Sequence, residues 1–379
     1  MSFPEEPFDL PLSEGGGYYP AIIGQKLNGD KFEIVRKLGY GPRSSTWLVF
    51  RPRDPVYFAV KIFTIAASDR AKTVELPIVK AVDKLDSNLG LPIFQGSFWE
   101  DSGAGSHLCF VLNPLSTSVQ ALQLGANHHR FPVHVVQRIV GTVARALKGL
   151  HDAGIMHGAI KGDNIFFLTP VQFLHSEPTP TTVKVKKYTT VRSQPLNHRF
   201  KWNDKSKIVA DWPIGFDNFG HGGLPTGKKY DYLSAPETLL QRASCSPQTD
   251  IWMLGYMTFY LLTGDVPFYS SGNVSKRIAT LCAALEDELP EEWLSDNKMK
   301  DFNPDAHGLV TSINVGLANT LQEDEIAAAA AFIKGCLRLD PQKRFSAEDC
   351  VGSAKQEIPT HVKRELDVFW YETRGLCKT

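Results

Sequence analysis

The hydrophobic pattern changes its period partway along the chain, and few architectures accommodate that change. From Lys31 to about Leu115 the apolar residues come in short runs rich in β-branched and aromatic types: KFEIVRKLG, STWLVFR, YFAVKIF and HLCFVLNPL, with turn residues between them. One helical segment, at about 69–85, interrupts these strands. From about Pro132 the spacing becomes three and four. Val133, Val136, Val140, Val143, Leu147 and Leu150 line one side of an amphipathic helix that should end near His151. Further helices are expected at 249–263, 274–286 and 325–337. A mainly β part followed by a mainly α part predicts an α+β chain with a β-rich N-lobe and a helical C-lobe. At 379 residues the chain is long enough for both.

The expected partition is an N-terminal extension at 1–31, a first lobe at 32–115, a second lobe at 116–352 and a tail at 353–379. The Pro-, Thr- and Lys-rich stretch 169–206 reads as an insertion in the second lobe; long irregular loops tend to be functional or mobile. Lys plus Arg and Asp plus Glu both number 41. That balance favours neither nucleic acid nor an anionic membrane as partner. The six cysteines are scattered without a CxxC pair, which argues against a disulfide framework or zinc site and for a reducing compartment. MSFPEEPFDL lacks a basic region followed by an apolar run, so no signal peptide is expected. The run IWMLGYMTFYLL (251–262) has the length of a buried core helix, too short for a membrane span.

Chemistry concentrates in two places. In LGYGPRSSTWL (38–48), Gly39 and Gly41 let a hairpin fold tightly and bring backbone N–H groups close to phosphates; taken alone they equally mark a plain turn. In FAVKIF, Lys61 sits among Val60, Ile62 and Phe63. A lysine buried there needs an anionic partner, and Glu75 in the following helical segment is the candidate. A lysine snorkelling from a strand edge is the plainer reading.

The second place is IMHGAIKGDNIFF (155–167), directly after the amphipathic helix. His157 can brace the loop backbone, and Lys161 can neutralise charge on a transferring phosphate. Asn164, with Asp211 in IVADWPIG, offers hard oxygen ligands to Mg²⁺. Ala159 occupies the position where a phosphoryl-transfer loop carries its aspartate. Asp163, four residues on, should point elsewhere. A general base contributes about 10²–10⁴-fold, or roughly 3–5 kcal/mol of barrier. The basic KVKKY (184–188) is either a solvated loop or a dock for an acidic segment. His128 and His129 read as loop residues, without further ligands at metal-binding spacing.

These motifs, with SAPETLL (234–240), TDIWMLG (249–255) and LDPQKRFSAEDC (339–350), resemble the eukaryotic protein kinases over roughly residues 32–352. Within that family the chain is most similar to the SR-protein kinases. GGYYPAIIGQKLNGDKFEIVRKLGYG (16–41) is similar to that branch's entry segment, and Ser44 with Trp47-Leu48 matches its phosphate loop. The resemblance implies a bilobal protein-kinase-like fold that binds ATP and Mg²⁺. It implies that Leu38, Gly39, Gly41, Ser44, Thr46, Ala59, Lys61, Glu75, Asn113 and Leu115 hold nucleotide. Adenine would bond the Asn113 carbonyl and the Leu115 N–H, behind Leu112. It implies that Lys61 and Lys161 serve catalysis, that Asn164 and Asp211 hold metal, and that Arg344 pairs with Glu237.

The departures bear on activity. Trp212 and Pro213 follow Asp211 where the family has Phe and Gly, which would lock that segment. Leu233 and Tyr230 replace the Tyr and Thr that usually precede Ala-Pro-Glu. Three readings follow: a pseudokinase that acts by binding; a weak or unconventional Ser/Thr kinase; or a small-molecule phosphotransferase, because His157-Gly158 is similar to the His-Gly-Asp loops of that class. The resemblance also implies a monomer in cytoplasm or nucleus, with an Arg/Ser-rich protein as substrate or partner.

Overall fold

The structure is a computed structural model; it describes residues 5–168, 181–185, 188–219, 235–240, 246–268, 272–305 and 312–354. The chain divides into two compact units. One is built on Met1–Thr117 and Phe166–Arg199, the other on Ser118–Ile165 and Phe200–Pro359.

The first unit is a six-stranded antiparallel sheet. Its strands are β1 (Lys26–Leu27), β2 (Phe32–Gly41), β3 (Ser44–Arg51), β4 (Val56–Phe63), β5 (Phe94–Ser102) and β6 (Gly105–Leu112), ordered β1-β2-β3-β4-β6-β5. Alternation along these strands puts Ile34, Trp47, Val49, Val60, Ile62, Cys109 and Val111 into one buried cluster. The predicted helical segment is α1 (Ile65–Arg70) and α2 (Leu76–Val82), joined by a π-helical turn at Ala71–Glu75.

Two stretches outside its six strands clasp this sheet. The N-terminal leader tucks Glu5 and Glu6 against Lys37, whose side chain is fully buried. Lys37 Nζ donates to Glu5 Oε2 at 2.5 Å, to Glu6 Oε2, and to the Val191 carbonyl at 3.1 Å. Burial raises the Glu6 carboxyl above its ordinary range, against the pull of Lys37. The Tyr18 hydroxyl donates to the Gly41 carbonyl at 2.8 Å. From the insertion, a hairpin of Thr182–Val185 and Tyr188–Val191 leads into a segment running beside β2. There the Gln194 N–H bonds the Lys37 carbonyl at 2.9 Å and Arg36 Nε bonds the Gln194 carbonyl at 2.7 Å.

The second unit is helical: α3 (Val119–Leu124), α4 (Val133–Asp152), α5 (Ser206–Ala210), α6 (Pro236–Leu240), α7 (Pro247–Thr263), α8 (Val274–Leu285), α9 (Ile313–Ala318), α10 (Glu323–Cys336) and α11 (Ala347–Ala354). The predicted stripe on α4 is the buried one, including Val136, Val140, Val143, Leu147 and Leu150. α7 is buried on all sides, as its unbroken apolar run requires. Ser246 and Thr249 form its capping box. Gly264 ends it at φ 74°, where an added Cβ would lie 2.2 Å from the His128 carbonyl oxygen. α4 packs on α7 and α11, and α7 on α10. Among the described residues no helix is long and apolar enough to cross a membrane.

Candidate functional site

In the first unit, strand register assembles the predicted residues. The β2–β3 hairpin pairs Gly39 with Thr46 and Gly41 with Ser44; β3 places Thr46 opposite Lys61; β4 pairs Ala59 with Leu112. Gly39 and Gly41 do not adopt positive φ, and a Cβ at either would meet nothing within 4 Å. Neither the turn nor the packing demands glycine there, which weighs against the plain-turn reading.

Lys61 Nζ bonds Glu75 Oε1 at 2.6 Å, with the two side chains 16% and 6% exposed. The ammonium also lies 4.8 Å from the centre of the Phe63 ring. Glu75 sits at the end of the π-helical turn. Such bulges shift a side chain's direction within a helix and are frequent at functional sites. Leu38, Ala59 and Leu112 are buried. Asn113 is buried as well, its Oδ1 accepting from Gln95 Nε2 at 3.3 Å, and Leu115 begins a short strand.

In the second unit, the loop at 157–164 is held by a closed set of hydrogen bonds. The N–H groups of His157 and Gly158 donate to the two carboxylate oxygens of Asp250, at 2.9 and 2.7 Å. Gly158 sits at φ 75°, a left-handed position that favours glycine. The Ala159 N–H donates to His157 Nδ1 at 3.2 Å, which leaves Nε2–H to donate to the Asp217 carbonyl at 3.1 Å. The Asp217 N–H returns to the Asn164 carbonyl at 3.0 Å, and Asn164 Nδ2 donates to the Ala159 carbonyl at 2.7 Å. Burial pushes the His157 imidazole down to about 4, so the ring is neutral. Ala159 is buried, and its side chain is a methyl. Lys161 is paired with Asp163 at 3.2 Å.

Asp211, expected as a metal ligand, lies at the end of a short helix. Asp211 caps the C-terminus of α5, its N–H bonding the Ile208 carbonyl at 3.1 Å, and it lies beside the Arg138 guanidinium. Arg138 also donates to the Trp212 carbonyl at 2.6 Å. The residue brought to Asn164 is Asp217, which follows the strand Ile214–Phe216. Ile208 and Val209 gave the look of a strand before Asp211, but they belong to the helix. The usable signal was the later run IGF-Asp217, followed by Phe219-Gly220. Asn218, also missed, donates from Nδ2 to Asn164 Oδ1 at 3.0 Å.

The predicted pair Arg344–Glu237 is present and bidentate: Nη2 to Oε2 at 2.7 Å and Nη1 to Oε1 at 2.9 Å, with the guanidinium 5.0 Å from the centre of the Trp252 ring. Tyr230 and Leu233 lie outside the described residues, as does most of the tail at 353–379. His128 and His129 form a tight loop turn with left-handed backbone at both residues.

Comparison with known proteins bears on the fold and the family likeness. The protein kinase domain family matches residues 227–354. A solved kinase domain superposes with a TM-score of 0.63 at 21% identity, covering 88% of this chain and 97% of its own. The chain therefore has the protein-kinase fold, with a β-rich unit and a helical unit. Within that fold it is similar to the SR-protein kinases. Protein kinase dsk1 of Schizosaccharomyces pombe is 26% identical over 189 residues, 48% of this chain and 35% of dsk1. SRSF protein kinase 3 of Mus musculus is 33% identical over 40% of this chain and 27% of its own length. A serine/threonine protein kinase of Aspergillus fumigatus is 24% identical over 90% of this chain and 88% of its own. The chain thus spans about a third of dsk1 but nearly all of the Aspergillus protein.

Proposed function

We propose that this chain is a nucleotide-binding protein of the SR-protein-kinase type whose transfer of phosphate to protein hydroxyls is impaired. One observation carries the reading. The loop around position 159 keeps its full hydrogen-bonded frame, so that position is the one an active kinase fills with its substrate-facing aspartate, and a methyl group stands there. A methyl accepts no proton and cannot orient a hydroxyl. Asp163, the nearest acid in the loop sequence, is engaged with Lys161.

The first unit supports ATP as the nucleotide. Lys61, held by Glu75, suits the α- and β-phosphates, and the backbone at Gly39 and Gly41 is open to close approach. Leu38 and Ala59 offer an apolar surface for adenine, with Asn113 and Leu115 as its backbone partners. Likeness to the SR-protein kinases makes an Arg/Ser-rich protein the partner class to test, in cytoplasm or nucleus. The retained Lys61–Glu75 pair favours a second reading, a weak Ser/Thr kinase, because positioning and charge dominate phosphoryl transfer.

Two measurements test this. Thermal-shift titration should show stabilisation by ATP; no shift at millimolar nucleotide rejects ATP binding. Transfer of labelled γ-phosphate to an Arg/Ser-repeat peptide should not exceed that of a Lys61→Met control. Transfer that depends on Lys61 would establish the second reading instead.

A further inference from the structure

The glycine hairpin has little of its own to fix where its tip stands. β2 and β3 pair Gly41 with Ser44, so Pro42 and Arg43 alone make the turn, and the pairing slips by one residue between Lys37 and Gly39. No neighbour lies within 4 Å of where a Cβ would stand at Gly39 or Gly41. Glycine also leaves the backbone more conformational freedom than any other residue.

Two hydrogen bonds from outside the hairpin hold its tip, and a third joins their sources. The Tyr18 hydroxyl donates to the Gly41 carbonyl at 2.8 Å. The Thr64 N–H, at the start of α1, donates to the Arg43 carbonyl at 2.9 Å. Beside it, the Ile65 N–H donates to the Gly17 carbonyl at 3.0 Å. Hairpin tip, leader and helix start thus close into one ring, and in that ring Tyr18 supplies the side-chain link.

The leader is folded so as to deliver this residue. Glu5 and Glu6 anchor it on Lys37. The chain then doubles back on itself. A Cβ at Gly16 would collide with the Leu10 carbonyl, and Gly17 takes φ 79°, so both positions call for glycine. Tyr18 follows at once, buried, its ring edge-on to Phe8 with centroids 6.4 Å apart. Burial, with the Glu6 carboxylate nearby, pushes the Tyr18 phenol up to about 12, so the hydroxyl keeps the proton it donates.

We propose that Tyr18 is a positioning residue for nucleotide: its hydroxyl holds the Gly41 carbonyl so that the hairpin stands ready to receive phosphates. The proposal rests on the nucleotide-binding reading above, and its test separates the two. A hairpin released from Tyr18 would spread over other conformations, and affinity falls with the fraction that remains competent to bind. Only a ligand that carries phosphates would register the change. Affinities for ATP and for adenosine are measured by calorimetry on the full chain, on Tyr18→Phe, which keeps the ring and removes the hydroxyl, and on Tyr19→Phe. Tyr19 is the control, because its hydroxyl bonds the Gln25 side chain, at 2.6 Å, rather than the hairpin. Deuterium exchange of the backbone amides over residues 38–48 is followed in the same three proteins.

Tyr18→Phe should bind ATP about threefold to tenfold more weakly, as the loss of one neutral hydrogen bond allows, and should bind adenosine as wild type does. Tyr19→Phe should match wild type for both ligands. Unchanged ATP affinity in Tyr18→Phe overturns the proposal, as does an equal loss for ATP and adenosine, or an equal loss in the two variants. Where adenosine binds too weakly to titrate, the contrast between the two variants decides. If no protein binds either ligand, the nucleotide reading falls and amide exchange decides: faster exchange over 38–48 in Tyr18→Phe than in wild type and Tyr19→Phe upholds Tyr18 as the residue that positions the hairpin, and any other pattern rejects it.

Discussion

Lys61 and Ala159 belong to different compact units, and under the proposed function each unit keeps a different part of a phosphoryl-transfer apparatus. In the first, the charged group itself survives: an ammonium held by a carboxylate at 2.6 Å beside a glycine hairpin that nothing in the fold requires. In the second, the frame survives without the group. His157, Asp250, Asn164 and Asp217 fix the loop, while position 159 is a buried methyl and the Asn164 amide is bonded to Asn218. Under that reading, loss of a catalytic group does not release its scaffold, because the scaffold is also the core of the unit. If that account holds, disturbing the second unit's frame should act mainly on stability, and disturbing the first unit's residues mainly on ligand binding.

The largest effect is expected at Arg344. Its guanidinium is fully buried against Glu237, and removing one partner of such a pair leaves an uncompensated charge, at a cost of about 3–5 kcal/mol. Arg344→Ala should therefore lower the denaturant midpoint sharply or prevent folding. A loss under about 1 kcal/mol would mean the frame is not structural.

His157 gives the next test. Burial lowers its pKa from an ordinary 6.5 to about 4, so the folded state requires the neutral ring. Between those values the unfolded chain binds the proton and the folded chain does not, so stability rises with pH there. It is complete above about 6.5 and falls as pH drops toward about 4, by up to roughly 3 kcal/mol at 1.36 per unit. The Asp250 carboxylate acts in the opposite direction and is already included in that balance. His157→Asn should be less stable at neutral pH and should flatten the pH profile between 6.5 and 4. An unchanged slope would place the titration elsewhere.

The difference between what sequence patterns reveal and what they hide follows the same physics. α4 and the strands were legible because one-sided burial imposes a period on each, and α7 because its apolar run is unbroken over the length of a core helix. Lys61–Glu75 was legible because a charge in an apolar setting requires a partner, and Arg344–Glu237 through the resemblance to the protein kinases. The β-branched run before Asp211 reads as a strand and is a helix, because Ile208 and Val209 suit either equally well, and five residues carry too little periodicity to decide. Nothing local in MSFPEEPFDL indicates that Glu5 and Glu6 close on Lys37, about 30 positions away, and nothing local in the insertion indicates that Gln194 bonds β2. The Asn218–Asn164 hydrogen bond was hidden for another reason: it depends on one left-handed φ and on which way a neighbouring amide faces.

Within the first unit, Lys61 should affect ligand more than fold. Lys61→Met alone leaves the Glu75 carboxylate buried, so the useful variant is Lys61→Met with Glu75→Gln, which removes both charges. Losing a charged contact to phosphate, worth about 1.5–3 kcal/mol, should weaken ATP by roughly 10- to 150-fold, with the melting temperature nearly kept. An unchanged ATP affinity would mark the pair as purely structural and erase the contrast between the units.

Gly39→Ala is the smallest perturbation and separates the two uses of a glycine most cleanly. The residue is not in a left-handed conformation, and the new methyl would meet nothing within 4 Å. Alanine restricts the unfolded chain more than glycine does, so stability should hold or rise by about 0.4–1 kcal/mol. A phosphate seated on the backbone N–H groups would meet that methyl directly, so ATP affinity should fall while the melting temperature does not. The opposite outcome, a drop in melting temperature with affinity intact, would return the LGYG segment to an ordinary hairpin turn. The likeness to a kinase phosphate loop would then be one of shape alone.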